Sequence, residues 1–157
     1  SSTSRGLGDV YKRQGLDLGS KRIGISVSDP ELKIALSIKT IERTKIGILI
    51  EELTEVINKF QIGGLIFGMP LNMDGSEGKS AQSATDTALL ISENLNMPYG
   101  FWDERLSSAA VERLYEKPKK SRKKKIINKK EIDNLAAAFI LEGALQYISN
   151  YTDDWNK

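Results

Sequence analysis

Residues 45–70 read KIGILIEELTEVINKFQIGGLIFGMP, and this stretch decides the fold class. In its first part Ile46, Leu49, Ile50, Leu53, Val56, Ile57 and Phe60 recur at steps of three and four, the period of a helix with one apolar face. Gly63-Gly64 supplies the stop for that helix. Gly64 to Met69 then runs apolar without alternation until Pro70 closes it. A short run of that kind suits a strand buried on both faces, as happens where helices cover a sheet from two sides. A helix followed at once by such a strand predicts a layered α/β domain.

The flanks extend the pattern in both directions. On the N-terminal side, Arg22 to Ser28 has Ile23, Ile25 and Val27 at period two, Asp29-Pro30 offers a turn, and Ala35 to Ile41 follows as a second run; these read as paired strands. Gly15-Leu16-Asp17 reads as the tail of a still earlier strand. Residues 1–14, SSTSRGLGDVYKRQ, have no hydrophobic periodicity, and Asp9 to Gln14 resembles one translated frame of a sequencing adapter. The segment 1–14 is therefore read as a non-native leader, with charged Lys12 and Arg13 where a central strand wants apolar residues.

On the C-terminal side, Ser80 to Leu95 carries Ala81, Ala84, Ala88, Ile91 and Leu95 on one helical face, and Tyr99 to Trp102 is a short strand ending at Asp103. Ser107 can cap a helix to about Glu116, and the basic segment 117–127 has no periodicity and reads as a mobile loop. Asn128 with Glu131 fits a capping pair opening a helix through about Asn150, with Ile132, Leu135, Ala136, Phe139, Ile140, Gly143 and Tyr147 inward. Residues 151–157 form a polar tail. The reading is one domain over 15–150: an α/β fold with a mixed sheet between helices.

Composition narrows the chemistry. The 157 residues include no Cys and no His, which excludes disulfides, thiol nucleophiles, Cys/His zinc sites and every mechanism with a histidine base. Hydrolysis is left to carboxylates, Lys, Tyr, hydroxyls or a metal held by oxygen. The net charge of +2 hides an asymmetry: nine of the 23 basic residues lie in 117–130 with no acid among them, leaving 14 basic residues against 21 acidic ones elsewhere. One very basic segment on an acidic body points to an anionic polymer as partner. The longest apolar run, around Ile62 to Leu71, is too short for a bilayer, and no N-terminal run resembles a signal peptide, so the default location is cytoplasmic.

Acidic residues fall at element ends. Asp17 sits in GLDLGSKRIG between Gly15 and Gly19, Asp103 and Glu104 follow the last strand, and Asp133 lies early in the last helix with the small Ala136 and Ala137 on its face. The crevice beyond the carboxyl ends of strands is the favoured binding place in open α/β sheets. Carboxylates gathered there repel unless a cation lies between them. Hard divalent ions take oxygen ligands, and two of them roughly 3.5–4 Å apart activate water and stabilise a leaving oxygen. Each residue also has a plain reading alone. Asp17 can be a turn former, Asp133 a complement to the helix dipole, one of Asp103 and Glu104 an ion-pair partner of Arg105, and the lysine run a solvated face.

The motifs GLDLGSKRIGISVSD, GMPLNMDGSEG, WDERLSS and IDNLAAAFIL, in this order and spacing, resemble the YqgF family, also called RuvX, the pre-16S rRNA nucleases related to Holliday junction resolvases. The likeness runs from about Gly15 to Ser149. It implies an RNase H-like three-layer fold with a mixed five-stranded sheet, and a nuclease dependent on Mg²⁺ or Mn²⁺, two ions in all. The catalytic, metal-holding acids carry over to Asp17, to Asp103 or Glu104, and to Asp133. The implied substrate is the 5′ end of the 16S rRNA precursor, with structured DNA as the alternative and a non-catalytic nucleic-acid-binding module as a third reading. The GxDxG motif is also used by actin-like ATPases, but those close two domains around ATP and this length has room for one.

Candidate substrate contacts are Lys21 and Arg22 beside Asp17; Asn72, Asp74 and Ser76 in the second motif, whose other reading is a turn and helix cap; and Arg105, whose other reading is to order the acids. In the basic segment they are Lys119, Lys120, Arg122, Lys123, Lys124 and Lys125. Cationic side chains there would contact phosphate, with steeply salt-dependent binding.

Overall fold

The computed structural model describes residues 11–72, 74–104 and 129–155, and side chains in the last segment from 135 to 148. The strands are β1 (Lys12–Leu18), β2 (Arg22–Ser28), β3 (Ala35–Glu42), β4 (Ile62–Met69) and β5 (Tyr99–Asp103). The helices are α1 (Ile46–Phe60), α2 (Lys79–Leu95) and α3 (Lys129–Trp155). The strands form a mixed sheet in the order β3-β2-β1-β4-β5. The early strands β1, β2 and β3 pair antiparallel, while β4 runs parallel to both β1 and β5. Among the described residues no helix is long and apolar enough to cross a membrane.

Period-two alternation assigns each strand residue to a layer. Leu16 and Leu18 of β1, Ile23, Ile25 and Val27 of β2, and Leu65 and Phe67 of β4 pack with Leu49, Leu53 and Val56 of α1 and Ala84, Ala88 and Ile91 of α2. The opposite face of the sheet meets α3, where Ile66 packs with Ile140, Leu141, Ala144 and Leu145. Helices on both faces explain why Ile62–Met69 carries apolar residues without alternation. Each fully buried Leu, Ile or Phe contributes roughly 1.5–3 kcal/mol relative to exposure.

Two contacts set how closely α3 approaches the sheet. A Cβ on Gly15 would lie 2.4 Å from Ser26 Oγ, 2.8 Å from Leu141 Cβ and 3.0 Å from Ala137 O, so only glycine admits the helix there. Over that gap the buried Ser26 hydroxyl donates to Ala137 O at 2.7 Å. The backbone of Asp133 is one turn before Ala137.

Several boundaries differ from the sequence reading. The strand carrying Asp17 starts at Lys12, so three residues of the leader belong to the sheet: Lys12, Arg13 and Gln14 pair with Ile62, Gly64 and Leu65. Gln14 falls on the α1/α2 face beside Val27 and Leu65, 0% exposed, and among the described residues neither polar atom of its amide has a hydrogen-bond partner. The first helix stops at Gln61, which takes the left-handed conformation at φ 55° and returns its N–H to Ile57 O. Gly63 and Gly64 instead lie in β4, where a Cβ would meet the side chains of Tyr11 and Arg13. The last helix continues to Trp155, through most of the segment read as a tail. The helix read over 107–116, the basic segment 117–127 and Asn128 lie outside the described residues.

Candidate active site

Asp17 occupies a row of small residues across the sheet. It pairs with Gly24 of β2, and Gly24 pairs with Thr40 of β3. On its other side the β1–β4 register matches Leu16 with Phe67, so Asp17 lies alongside Gly68. By alternation with Leu16 and Leu18, Asp17 is on the α3 face. A half-buried carboxylate thus stands between two glycines, neither of which sets a side chain of its own beside it.

The space over Gly68 is taken by Glu104. A Cβ at Gly68 would lie 2.8 Å and 2.9 Å from Glu104 Cγ and Cδ, which puts this side chain directly over β4. From there its carboxyl shares a hydrogen bond with Asp17. Burial, the charge of Asp17, that hydrogen bond and the charge of Asp103 together push the Glu104 carboxyl up from the usual 4.5 to about 8. The pair accordingly holds a proton between its oxygens near neutral pH.

The register also separates the two acids that end β5. Phe67 pairs with Phe101 and Met69 with Asp103, so alternation turns Asp103 toward the α1/α2 face and away from Asp17. Glu104, one residue on, returns to the α3 side. Of the four sequence-predicted acids the structure brings Asp17 and Glu104 into contact, with Asp103 close enough to act on Glu104 through its charge. The side chains of Asp133 and Arg105, and the six basic residues of 119–125, lie outside the described residues. Among the described residues no group of three or more acids has metal-holding geometry.

The space over Gly24 is an open cleft of about 220 Å³ lined by Asp17, Gly19, Ser20, Lys21, Arg22, Gly24 and Thr40. Lys21 and Arg22, both exposed, lie at its rim. The turn carrying them is braced by Arg43, which the sequence reading does not single out. Its backbone N–H donates to Lys21 O at 2.9 Å, and its guanidinium donates to Gly19 O at 2.9 Å and to Thr87 Oγ1 of α2 at 2.5 Å.

The second motif is more self-contained than its reading as a phosphate contact implies. Asn72 Nδ2 donates to Ser76 Oγ at 3.0 Å, and Asp74 Oδ1 accepts from Ser76 N at 2.9 Å and from Ser76 Oγ at 2.6 Å. The three exposed side chains fold this turn, with Gly75 in the left-handed region at φ 89°. Gly78, rather than a side-chain cap, precedes α2.

The same fold occurs in a Thermus thermophilus RuvC solved in complex with Holliday junction substrate: TM-score 0.56 and 16% identity, covering 89% of this chain and 96% of that one. A second Thermus thermophilus RuvC structure matches with TM-score 0.55 and 14% identity, over 89% of this chain and 97% of the other. The sheet order, with helices on both faces, makes this an RNase H-like fold. More narrowly, residues 12–147 match the family described as RuvX, Holliday junction resolvase, and the chain belongs to it. A Pelagibacter ubique (strain HTCC1062) relative named "Putative pre-16S rRNA nuclease" is 47% identical over 136 residues, 87% of this chain and 88% of its own length. A relative of the same name from Jannaschia sp. (strain CCS1) is 44% identical over 134 residues, 83% of this chain and 82% of its own.

Proposed function

We propose that this chain is a cytoplasmic, Mg²⁺- or Mn²⁺-dependent nuclease that acts on structured RNA and processes the 5′ end of the 16S rRNA precursor. The observation that carries the chemistry is the contact between Asp17 and Glu104. Two carboxyl groups this close coexist only by sharing a proton or by facing a cation, and both offer oxygen, the donor that Mg²⁺ and Mn²⁺ take. Asp17 and Glu104 would hold the ions, with Asp133 as the third acid. Bound there, such ions supply Lewis acidity at the phosphate and lower the pKa of water.

The chain's own residues perform the remaining work. Asp17 and Glu104 would hold the ions as carboxylates, without the proton they share in the metal-free protein. Gly24 and Gly68 leave the row beside Asp17 open for a phosphate and for Glu104 respectively. Lys21 and Arg22 at the cleft rim, together with Arg105 and Lys119, Lys120, Arg122, Lys123, Lys124 and Lys125, neutralise backbone phosphates and hold the strand without reading its sequence. Asp103 raises the local negative charge without joining the pair.

The RNA assignment rests on the names of the relatives. The family description and the RuvC complex favour a second reading, a DNA junction endonuclease. Matched assays with RNA spanning the precursor 5′ end and with a four-way DNA junction, in Mg²⁺ and in Mn²⁺, separate them. Metal-dependent cleavage confined to the RNA is expected. Cleavage confined to the junction moves the assignment to DNA, and salt-sensitive binding without cleavage of either reduces the chain to a binding module.

A further inference from the structure

We propose that Gly68 is a positioning residue for Glu104: its missing side chain is the seat from which the Glu104 carboxyl reaches Asp17. This inference rests on the metal-site reading above and deepens it. No left-handed backbone at Gly68 demands glycine, since Gly75 alone has positive φ among the described glycines. The demand is spatial. A Cβ there would lie 2.6 Å from Ile140 Cδ1, 2.8 Å from Glu104 Cγ and 2.9 Å from Glu104 Cδ, and carbon atoms do not approach so closely.

The three clashes have different consequences. Ile140 is fully buried in the α3 layer, and Cδ1 is the end of its side chain, so displacing it disturbs packing and stability. Glu104 starts from the end of β5, two strands from Asp17, and its route passes over β4 at Gly68. A methyl group there lifts the side chain off the sheet and takes its carboxyl away from Asp17. The same substitution therefore carries a stability effect through Ile140 and a site effect through Glu104, and the two can be separated. Ile140→Val removes Cδ1 and with it the first clash, leaving the second intact.

The test uses the full chain, Gly68→Ala, Ile140→Val and the double variant Gly68→Ala/Ile140→Val. Mn²⁺ affinity is measured by calorimetry, kcat and KM on the cleaved nucleic acid, thermal unfolding for stability, and a crystal structure of the double variant for position. Ile140→Val should bind Mn²⁺ as the parent does. Gly68→Ala and the double variant should lose roughly ten- to a hundredfold in affinity, the range for disturbing the support of a metal ligand. The loss should appear in kcat with KM unchanged, the double variant should recover part of the thermal stability, and its crystal structure should show Glu104 parted from Asp17. A double variant that keeps the Asp17–Glu104 hydrogen bond and the parent's Mn²⁺ affinity overturns the proposal. Glu104→Gln is measured alongside: if it binds Mn²⁺ as the parent does, the metal-site reading fails, and the position of Glu104 in the double variant alone decides the role of Gly68.

Discussion

The shared proton of Asp17 and Glu104 should make the metal-free protein lose stability as pH rises toward neutrality. The Glu104 carboxyl titrates near 8 in the folded chain and near 4.5 in the unfolded one. Below about pH 4.5 both states hold the proton and the group has no differential effect. Between 4.5 and 8 the unfolded chain releases the proton while the folded chain keeps it, so stability falls with rising pH and levels off above 8. At about 1.4 kcal/mol per pH unit the loss reaches at most about 5 kcal/mol. For a chain of this size that lowers the unfolding temperature by on the order of ten degrees.

The window is clean because the chain has no His or Cys to titrate within it. The assay is thermal unfolding in a chelator at intervals from pH 5 to 9, for the parent and for Glu104→Gln. The variant retains a hydrogen-bond donor toward Asp17 and has no proton to lose. Its unfolding temperature should stay nearly level and exceed the parent's at pH 8. A parent curve that is level between pH 5 and 8, or a variant curve that falls in parallel with it, would refute the burial and pairing of Glu104.

Other consequences follow from individual contacts. Gln14→Leu replaces a buried amide without partners by an apolar side chain in an apolar layer, and should raise the urea midpoint by an amount equivalent to about 1–3 kcal/mol with an unchanged slope. Ser26→Ala removes the 2.7 Å hydrogen bond to Ala137 O and should cost about 1 kcal/mol, read by the same unfolding curves. Lys21→Ala and Arg22→Ala, at the cleft rim, should raise KM and make its logarithm less steeply dependent on salt, with kcat unchanged in steady-state cleavage assays.

Much of the architecture was legible because it rests on periodicity. Ile23, Ile25 and Val27 alternate, the apolar residues of Ile46–Phe60 recur at helical steps, and the apolar run through Phe67 requires cover on both faces. Helix ends were less legible: Gln61 terminates α1 by adopting the left-handed conformation, although a glycine pair stands just beyond it. Asp103 and Glu104 were inseparable as a sequence because the choice depends on the register of β5 against β4, which no local pattern records. The contacts of Gly68, Ser26 and Arg43 carried no signal for a similar reason. Their partners are distant in the chain, 111 residues in the case of Ser26 and Ala137. Asn72, Asp74 and Ser76 admitted two readings, phosphate contact or a turn, because polar residues suited to phosphate are equally suited to hydrogen-bonding one another, as these do.

The central claim is that Asp17, Glu104 and Asp133 form the metal-holding set while Asp103 stands outside it. The direct measurement is single-turnover cleavage in saturating Mg²⁺ and in Mn²⁺ by the parent and by Asp17→Asn, Asp103→Asn, Glu104→Gln and Asp133→Asn, with folding checked by circular dichroism. Loss of a ligand should cost at least as much as loss of its support, roughly a hundredfold. The account predicts that loss for Asp17→Asn, Glu104→Gln and Asp133→Asn, with Asp103→Asn retaining most activity. Full cleavage by Glu104→Gln, together with an inactive Asp103→Asn, would contradict it.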